Sequence, residues 1–156
     1  MGIEQLNREE SLDFMSRKRL VRLGCTHDNQ PYVIPIYIAR EGERLYAFTM
    51  YGQKIEWMRP NPLVCVEADE MDSMQKWCSV IAFGRYVELP KIPQMEQERR
   101  HAHALLCDGA HGWEPGYART ILHGKQHVLE PLHFRIDLTE IWGRRATPDR
   151  AETDIR

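Results

Sequence analysis

Residues 48–54, with the sequence FTMYGQK, have the composition of a site for an anion. Thr49 offers a hydroxyl donor and Lys54 a full positive charge, so two kinds of donor could meet one phosphate. Gly52 permits a tight junction between a strand and a helix, and a helix that begins at Gln53 directs its first free amides outward. The segment therefore predicts a phosphate site, although an exposed helix start carrying a lysine has the same pattern.

A proline stands in the middle of an otherwise β-branched and aromatic run, residues 32–38. Pro35 removes a donor from the ladder, and strands tolerate this only at an edge or at a break in pairing. A planar ring system with its own donors and acceptors could lie beside such a strand and contact its main chain. The alternative is an edge strand that its proline protects from aggregation.

Periodicity and turn residues predict the elements that position these segments. Asn7 and Glu10 have the spacing of a capping box. The predicted helices are residues 8–16, 52–60 and 94–107, and the predicted strands are residues 20–26, 32–38, 45–49, 63–68, 77–89 and 133–138, with a loop at 69–75 and Gly84 available for a bulge. Since strands and helices do not alternate regularly, we expect a mainly β (α+β) fold. The expected architecture is a six-stranded antiparallel barrel with short peripheral helices.

Composition limits the classes of protein to which the chain can belong. The 156 residues, 42% of them hydrophobic, suffice for one domain, which we place at residues 1–143, followed by a charged, mobile tail at 144–156. The formal net charge of −2 disfavours nucleic acids and anionic membranes as partners. Because no run of about 18 apolar residues occurs and the first ten residues are rich in acids, we expect a cytoplasmic protein.

The cysteines and histidines suggest neither a metal centre nor a disulfide framework. Cys25, Cys65, Cys78 and Cys107 form no Cys-x-x-Cys pair. On a helix, His101 and His103 point to different faces, and His103 with Cys107 supplies only two ligands. We therefore expect no metal site, although His111, His123 and His127 are candidates for a haem ligand.

Taken in order, these motifs resemble the pyridoxamine 5′-phosphate oxidase-like split-barrel flavoproteins, and most closely the subgroup that includes the nitroimidazole-resistance (Nim) proteins. The resemblance rests on order and spacing over nearly the whole chain. Its parts are Glu9-Glu10, residues 19–24 (RLVRLG), residues 30–36 (QPYVIPI), Thr49 with Gly52 and Lys54, Asn61-Pro62, residues 77–80 (WCSV), Gly84-Arg85, residues 113–116 (WEPG), residues 134–137 (FRID) and residues 143–145 (GRR).

The resemblance implies a homodimer that binds FMN at its subunit interface and acts as an oxidoreductase or reductase of a small organic acceptor, with NADPH or NADH as a candidate electron donor. It implies these cofactor-binding residues: Val33, Ile34, Pro35, Ile36, Tyr37, Phe48, Thr49, Gly52, Gln53, Lys54, Ser79, Trp113 and Trp142. The two tryptophans would close the pocket from the partner subunit. No residue stands out as an acid or base, so the catalytic residues stay unassigned.

Two alternatives stay open within the same fold. The protein could carry or sense a flavin or haem without turnover, and FAD or a deazaflavin could replace FMN. The vitamin-forming oxidase has a basic residue where this chain has Tyr37, and its phosphate loop is one residue longer. We therefore do not expect pyridoxamine phosphate itself to be the substrate.

Overall fold

The computed structural model describes residues 1–108 and 131–149, and it describes the backbone alone of two short strands between these ranges. The strands are β1 (Gly2–Leu6), β2 (Leu20–His27), β3 (Gln30–Glu41), β4 (Arg44–Met50), β5 (Leu63–Ser73), β6 (Lys76–Leu89), β7 (Arg119–Leu122), β8 (Lys125–Val128) and β9 (Pro131–Thr147). The helices are α1 (Arg8–Arg17), α2 (Gln53–Met58) and α3 (Glu96–Cys107), and a single 3₁₀ turn, Pro93–Met95, precedes α3.

Six antiparallel strands close into a ring in the order β2, β3, β4, β9, β6 and β5. The long strand β9 makes the closure, because it pairs with β4 through its first half and with β6 along most of its length. Strand β1 adds to the second half of β9, and β7 and β8 form a separate hairpin. The predicted six-stranded antiparallel barrel is confirmed.

Side chains that alternate along each strand fill the barrel. The inward positions include Leu23, Ile38, Leu45, Val66, Val80, Phe134 and Ile136, all at most 1% exposed. Two helices add to this core: α1 contributes Phe14 and Met15, and α2 contributes Ile55 and Met58. The core therefore holds both ends of α2 against β2, next to the segment that the sequence marks as a phosphate site.

Several local predictions are confirmed. Asn7 accepts from the amide of Glu10 at 2.9 Å while the Glu10 carboxylate accepts from the amide of Asn7 at 2.8 Å, so the capping box is complete. The register of β6 against β9 shifts between Phe83 and Gly84. A Cβ at Gly84 would lie 2.7 Å from the carbonyl oxygen of Asp137, so a glycine is required at this bulge.

Three predicted boundaries are wrong. Strand β5 continues through residues 69–73, which the sequence suggested as a loop, because the β5–β6 hairpin extends beyond the barrel and exposes polar side chains. Strand β9 continues to Thr147, and its end pairs with β1, which the sequence did not predict. The tail placed at 144–156 therefore begins later, and residues 150–156 lie outside the described residues. No helix of the described residues is long and apolar enough to cross a membrane.

Candidate functional site

Strand β3 has two halves that differ in pairing. Residues 38–41 pair with β4 and residues 30–37 pair with β2, and β4 leaves β3 after Ala47, so among the described strands the other edge of residues 30–37 has no partner. The amide of Ile38 donates to the carbonyl of Arg19 on the β2 side at 2.9 Å. By the alternation of an antiparallel ladder, the main-chain groups of Val33 and Pro35 point away from β2. Pro35 thus stands at a break in pairing, as the sequence predicted.

The same alternation divides the predicted ring contacts into two sets. The main-chain groups of Ile34 and Ile36 point towards β2, and the side chain of Ile36 is 5% exposed inside the barrel. Val33 and Tyr37 carry their side chains on the outer face, 66% and 49% exposed. A ligand in this gap between β3 and β4, which we call the split, would therefore contact the main chain at positions 33, 35 and 37.

The segment that follows β4 borders the split. Gly52 has an extended backbone and an open space where a Cβ would stand. The Gly52 carbonyl accepts from the amides of Ile55 and Glu56, both at 3.1 Å. Only the amides that precede Ile55 in α2 therefore lack a hydrogen-bond partner within the helix. Since α2 has six residues, its dipole is small, and an anion here depends chiefly on Lys54.

Lys54 is half-buried and has no hydrogen-bond or ion-pair partner among the residues that the structure describes. Burial lowers the pKa of Lys54, and the nearby Cys25 thiol, 3% exposed on β2, opposes this shift only in part. A partly desolvated ammonium without a counter-ion is unfavourable. A phosphate group fits this position because it would supply the missing charge.

Thr49 and Phe48, at the end of β4, point in opposite directions. Thr49 is 8% exposed, lies on the same side of the strand as Ala47, and donates its hydroxyl to the carbonyl of Met50 at 3.1 Å. A phosphate would have to compete for this donor. The Phe48 side chain packs under α3 with Leu106, and its ring lies 4.9 Å from that of His133. The structure therefore does not bring the Phe48 side chain to the split.

Ser79 and Trp142 lie on the outer face of the opposite wall. Ser79 is on β6, and Trp142 on β9 contacts Phe83 edge to face at 5.0 Å. Because β2 and β5 separate β6 from β3, Ser79 stands three strand spacings from Val33, roughly 14 Å across the strands, and Trp142 on β9 lies one strand farther along this face. One chain alone does not bring them to the split. Trp113 lies outside the described residues.

Sequence reasoning assigned no role at the site to two residues near this region, Cys25 and Arg19. Cys25 lies next to Lys54 only because β2 passes beneath α2. Arg19 donates to the carbonyls of Leu106 and Asp108 at 2.9 and 2.8 Å, so it ties the end of α3 to the strand beside β3.

The histidines of α3 are engaged separately. His101 contacts the Glu41 carboxylate at 2.8 Å, and the Nε2 of His103 lies 3.5 Å from the Cys107 sulfur. Within the described part of the chain, no three His, Cys, Asp or Glu residues lie close enough to share a metal ion. The haem candidates His111 and His123, and the side chain of His127, lie outside it.

Comparison with known proteins agrees with this architecture. An uncharacterized protein of Rhizobium meliloti is 39% identical over 146 residues, which are 94% of this chain and 97% of that protein. The crystal structure of an FAD-binding protein from Mesorhizobium loti has a TM-score of 0.75 and 36% identity, covering 95% of this chain and 99% of the other. A structure from Bacteroides thetaiotaomicron, described as a 5-nitroimidazole antibiotic resistance protein, has a TM-score of 0.65. At 16% identity, over 93% of this chain and 89% of the other, it shows the shared fold alone.

The family model described as pyridoxamine 5′-phosphate oxidase matches residues 7–145. That range includes the split, the segment after β4 and nearly all of β9. The chain therefore belongs to the pyridoxamine 5′-phosphate oxidase family.

Proposed function

We propose that this protein binds a flavin, with FMN as the expected form, and acts as an oxidoreductase of a small organic molecule. The observation that carries the proposal is the half-buried Lys54 ammonium, which has no counter-ion among the described residues and follows β4 at the split. The split would take the ring, and Lys54 would take the phosphate. The FAD-binding relative at 36% identity supports a flavin, and FMN and FAD both carry the phosphate that Lys54 would meet.

The chain would hold such a ligand chiefly through its main chain. The amide of Val33 can donate and the carbonyl of Pro35 can accept along the edge of a planar ring. The space beside Gly52 admits a phosphate, and Lys54 pairs with it. When bound, the flavin would supply the redox chemistry itself.

A second copy of the chain would complete the site. Beyond Val33, the outer face of β2, β5 and β6 exposes large apolar side chains that an isolated barrel leaves in water: Leu20 (50%), Leu63 (62%), Ile81 (36%) and Phe83 (43%). In the register of the sheet, Val33 lies opposite Gly24, Gly24 opposite Cys65, and Cys65 opposite Phe83, so this face is continuous. A homodimer that packs across it would cover these residues and bring the partner's Ser79 and Trp142 towards the ring.

The Lys54→Ala variant tests the phosphate contact. Loss of a charge-assisted contact of about 1.5–3 kcal/mol should weaken FMN binding roughly ten- to hundredfold, measured by quenching of flavin fluorescence. Riboflavin, which lacks the phosphate, should bind wild type and variant equally. Lys76→Ala, which removes a lysine paired with Asp72 on the β5–β6 hairpin, is the matched control and should leave FMN affinity unchanged. Equal FMN affinity in wild type and Lys54→Ala would contradict the assignment.

Turnover has a separate test. Flavin-loaded protein mixed anaerobically with NADPH or NADH should lose its absorbance near 450 nm if either is the electron donor. If the colour persists with both, and also persists when a chemically reduced sample is mixed with nitroaromatic or quinone acceptors, the carrier or sensor function is favoured.

A further inference from the structure

Unpartnered donor groups gather beneath α3, on the outer face of the barrel. His133, on β9, is 8% exposed, and among the described residues neither of its ring nitrogens has a hydrogen-bond partner. The Nε of Arg99, on α3, is likewise buried, with no partner in the part of the chain that the structure describes. A buried donor left unsatisfied is destabilising, so a further group that accepts from both is expected.

The helix and the sheet bring these groups together. Arg99, His103 and Cys107 are spaced four residues apart and therefore share one side of α3. That side borders the face of α3 that packs on the sheet: His103 and Cys107 are exposed, but the His103 ring lies 5.7 Å from the His133 ring. The ring of Phe48 packs at 4.9 Å on His133 and occupies another of its sides.

Among the described residues, the charged groups that act on His133 are all basic. Burial, together with His103, Arg99 and Lys91, lowers the pKa of His133 to about 4. Three described carboxylates on or near α3 are engaged elsewhere: Glu96 with Arg100, Glu98 with Arg135, and Glu41 with His101. A metal cation would be repelled by Arg99, whereas an anion would be attracted.

We propose that Arg99 and His133 form a binding site for a phosphate group, with His103 at its outer edge. The planar guanidinium of Arg99 matches the geometry of an oxyanion, and a neutral His133 contributes one N–H donor. This site is distinct from the one proposed at Lys54. Phe48, which packs under α3 beside this site, and Thr49, which belongs to the segment that leads to Lys54, point to opposite faces of β4. The ligand is inorganic phosphate or a small phosphate ester.

The test uses inorganic phosphate as the probe and the full chain with Lys54→Ala, so that the proposed flavin site does not contribute. Histidine ring signals are followed by NMR during a phosphate titration at constant ionic strength, and His133→Gln identifies the signal of His133. A saturable shift of this signal is expected, together with a higher pKa of His133 in saturating phosphate. Acetate and phenyl phosphate, titrated in parallel, distinguish carboxylate from phosphate and a free ion from an ester.

Arg99→Gln should weaken phosphate binding by at least roughly tenfold. Arg100→Gln removes the same charge from the next residue, which is exposed and paired with Glu96, and should have no comparable effect. Equal effects of the two variants would overturn the site, as would a His133 signal that does not respond to phosphate. Binding seen in wild type and lost with Lys54→Ala would assign the phosphate to the flavin site instead.

Discussion

The barrel has two outer faces that differ in how they are covered. Under α3, the large outward side chains are buried: Tyr46, Phe48 and Leu89 are 2%, 8% and 1% exposed. On the face of β2, β3, β5 and β6, side chains of the same kind are open, with Val33 at 66% and Leu63 at 62%. Closing a sheet into a barrel buries only the inward side chains, so outward apolar residues stay exposed unless a helix or another chain covers them. The described residues cover the first face and leave the second open, and we propose that a second copy of the chain covers the second.

The largest effect is expected where α3 covers the sheet. Leu106 is 2% exposed and packs on Phe48 and Ala39. Leu106→Ala should lower the free energy of unfolding by about 2–5 kcal/mol, because it leaves a cavity between helix and sheet. Urea denaturation measures this loss. Met74→Ala, at a residue that is 77% exposed, should change it by less than about 0.5 kcal/mol. A loss at Leu106 no larger than this would mean that α3 contributes little to the covered face.

A second effect concerns His133, the buried histidine of the covered face. The folded chain keeps His133 neutral down to its pKa of about 4, whereas a histidine in the unfolded chain takes up a proton near pH 6.5. Protonation therefore favours the unfolded chain between these values. In phosphate-free buffer, the free energy of unfolding should fall by about 3 kcal/mol as the pH decreases from about 6.5 to 4.

His133→Gln provides the reference for that measurement. It removes the titrating ring, so its unfolding free energy should decline less over the same pH range. His101→Gln, which removes an exposed histidine paired with Glu41, should retain the wild-type slope. If the free energies of unfolding of wild type and His133→Gln decline in parallel as the pH decreases, then groups other than His133 cause the pH dependence of stability.

The sequence predicts the ring of strands well, and the reason is physical. The inward residues of a closed barrel form one continuous core, so alternation along each strand is strong. The prediction of strands fails at residues 69–73, because this part of β5 lies in a hairpin that exposes polar side chains and has no apolar alternation. It also fails at β1, whose five residues are stabilised by pairing with a distant strand, β9.

The sequence predicts a feature of the candidate site only where residues close together in the chain determine that feature. Pro35 marks the break in pairing because its own ring removes the donor. The outward direction of Phe48 follows once Thr49 is known to face inward, so alternation could have excluded its side chain. The separation of Ser79 and Trp142 from β3 depends on the strand order around the ring, which the order along the chain does not reveal.

The smallest effect is expected on the open face, where it bears on assembly. Phe83, on β6, is 43% exposed on this face, and Phe83→Glu should weaken the proposed dimer by about 1–3 kcal/mol, measured by sedimentation at several protein concentrations. The circular dichroism of the fold should not change, because the side chain already contacts water. Ile92→Glu introduces the same charge at an equally exposed residue, 44%, outside the strands of this face, and should leave assembly unchanged. A wild-type chain that sediments as a monomer would contradict the dimer.

The flavin affinity of Phe83→Glu tests whether the dimer that covers the exposed face also completes the flavin site. If the partner's Ser79 and Trp142 close the pocket, the loss of FMN affinity in Phe83→Glu should diminish as the protein concentration rises, because mass action restores the dimer. If the split of one chain holds the flavin alone, affinity should stay constant across the same range. In that case the flavin site would be complete within one chain, and the proposed dimer would cover the open face without contributing to the flavin site.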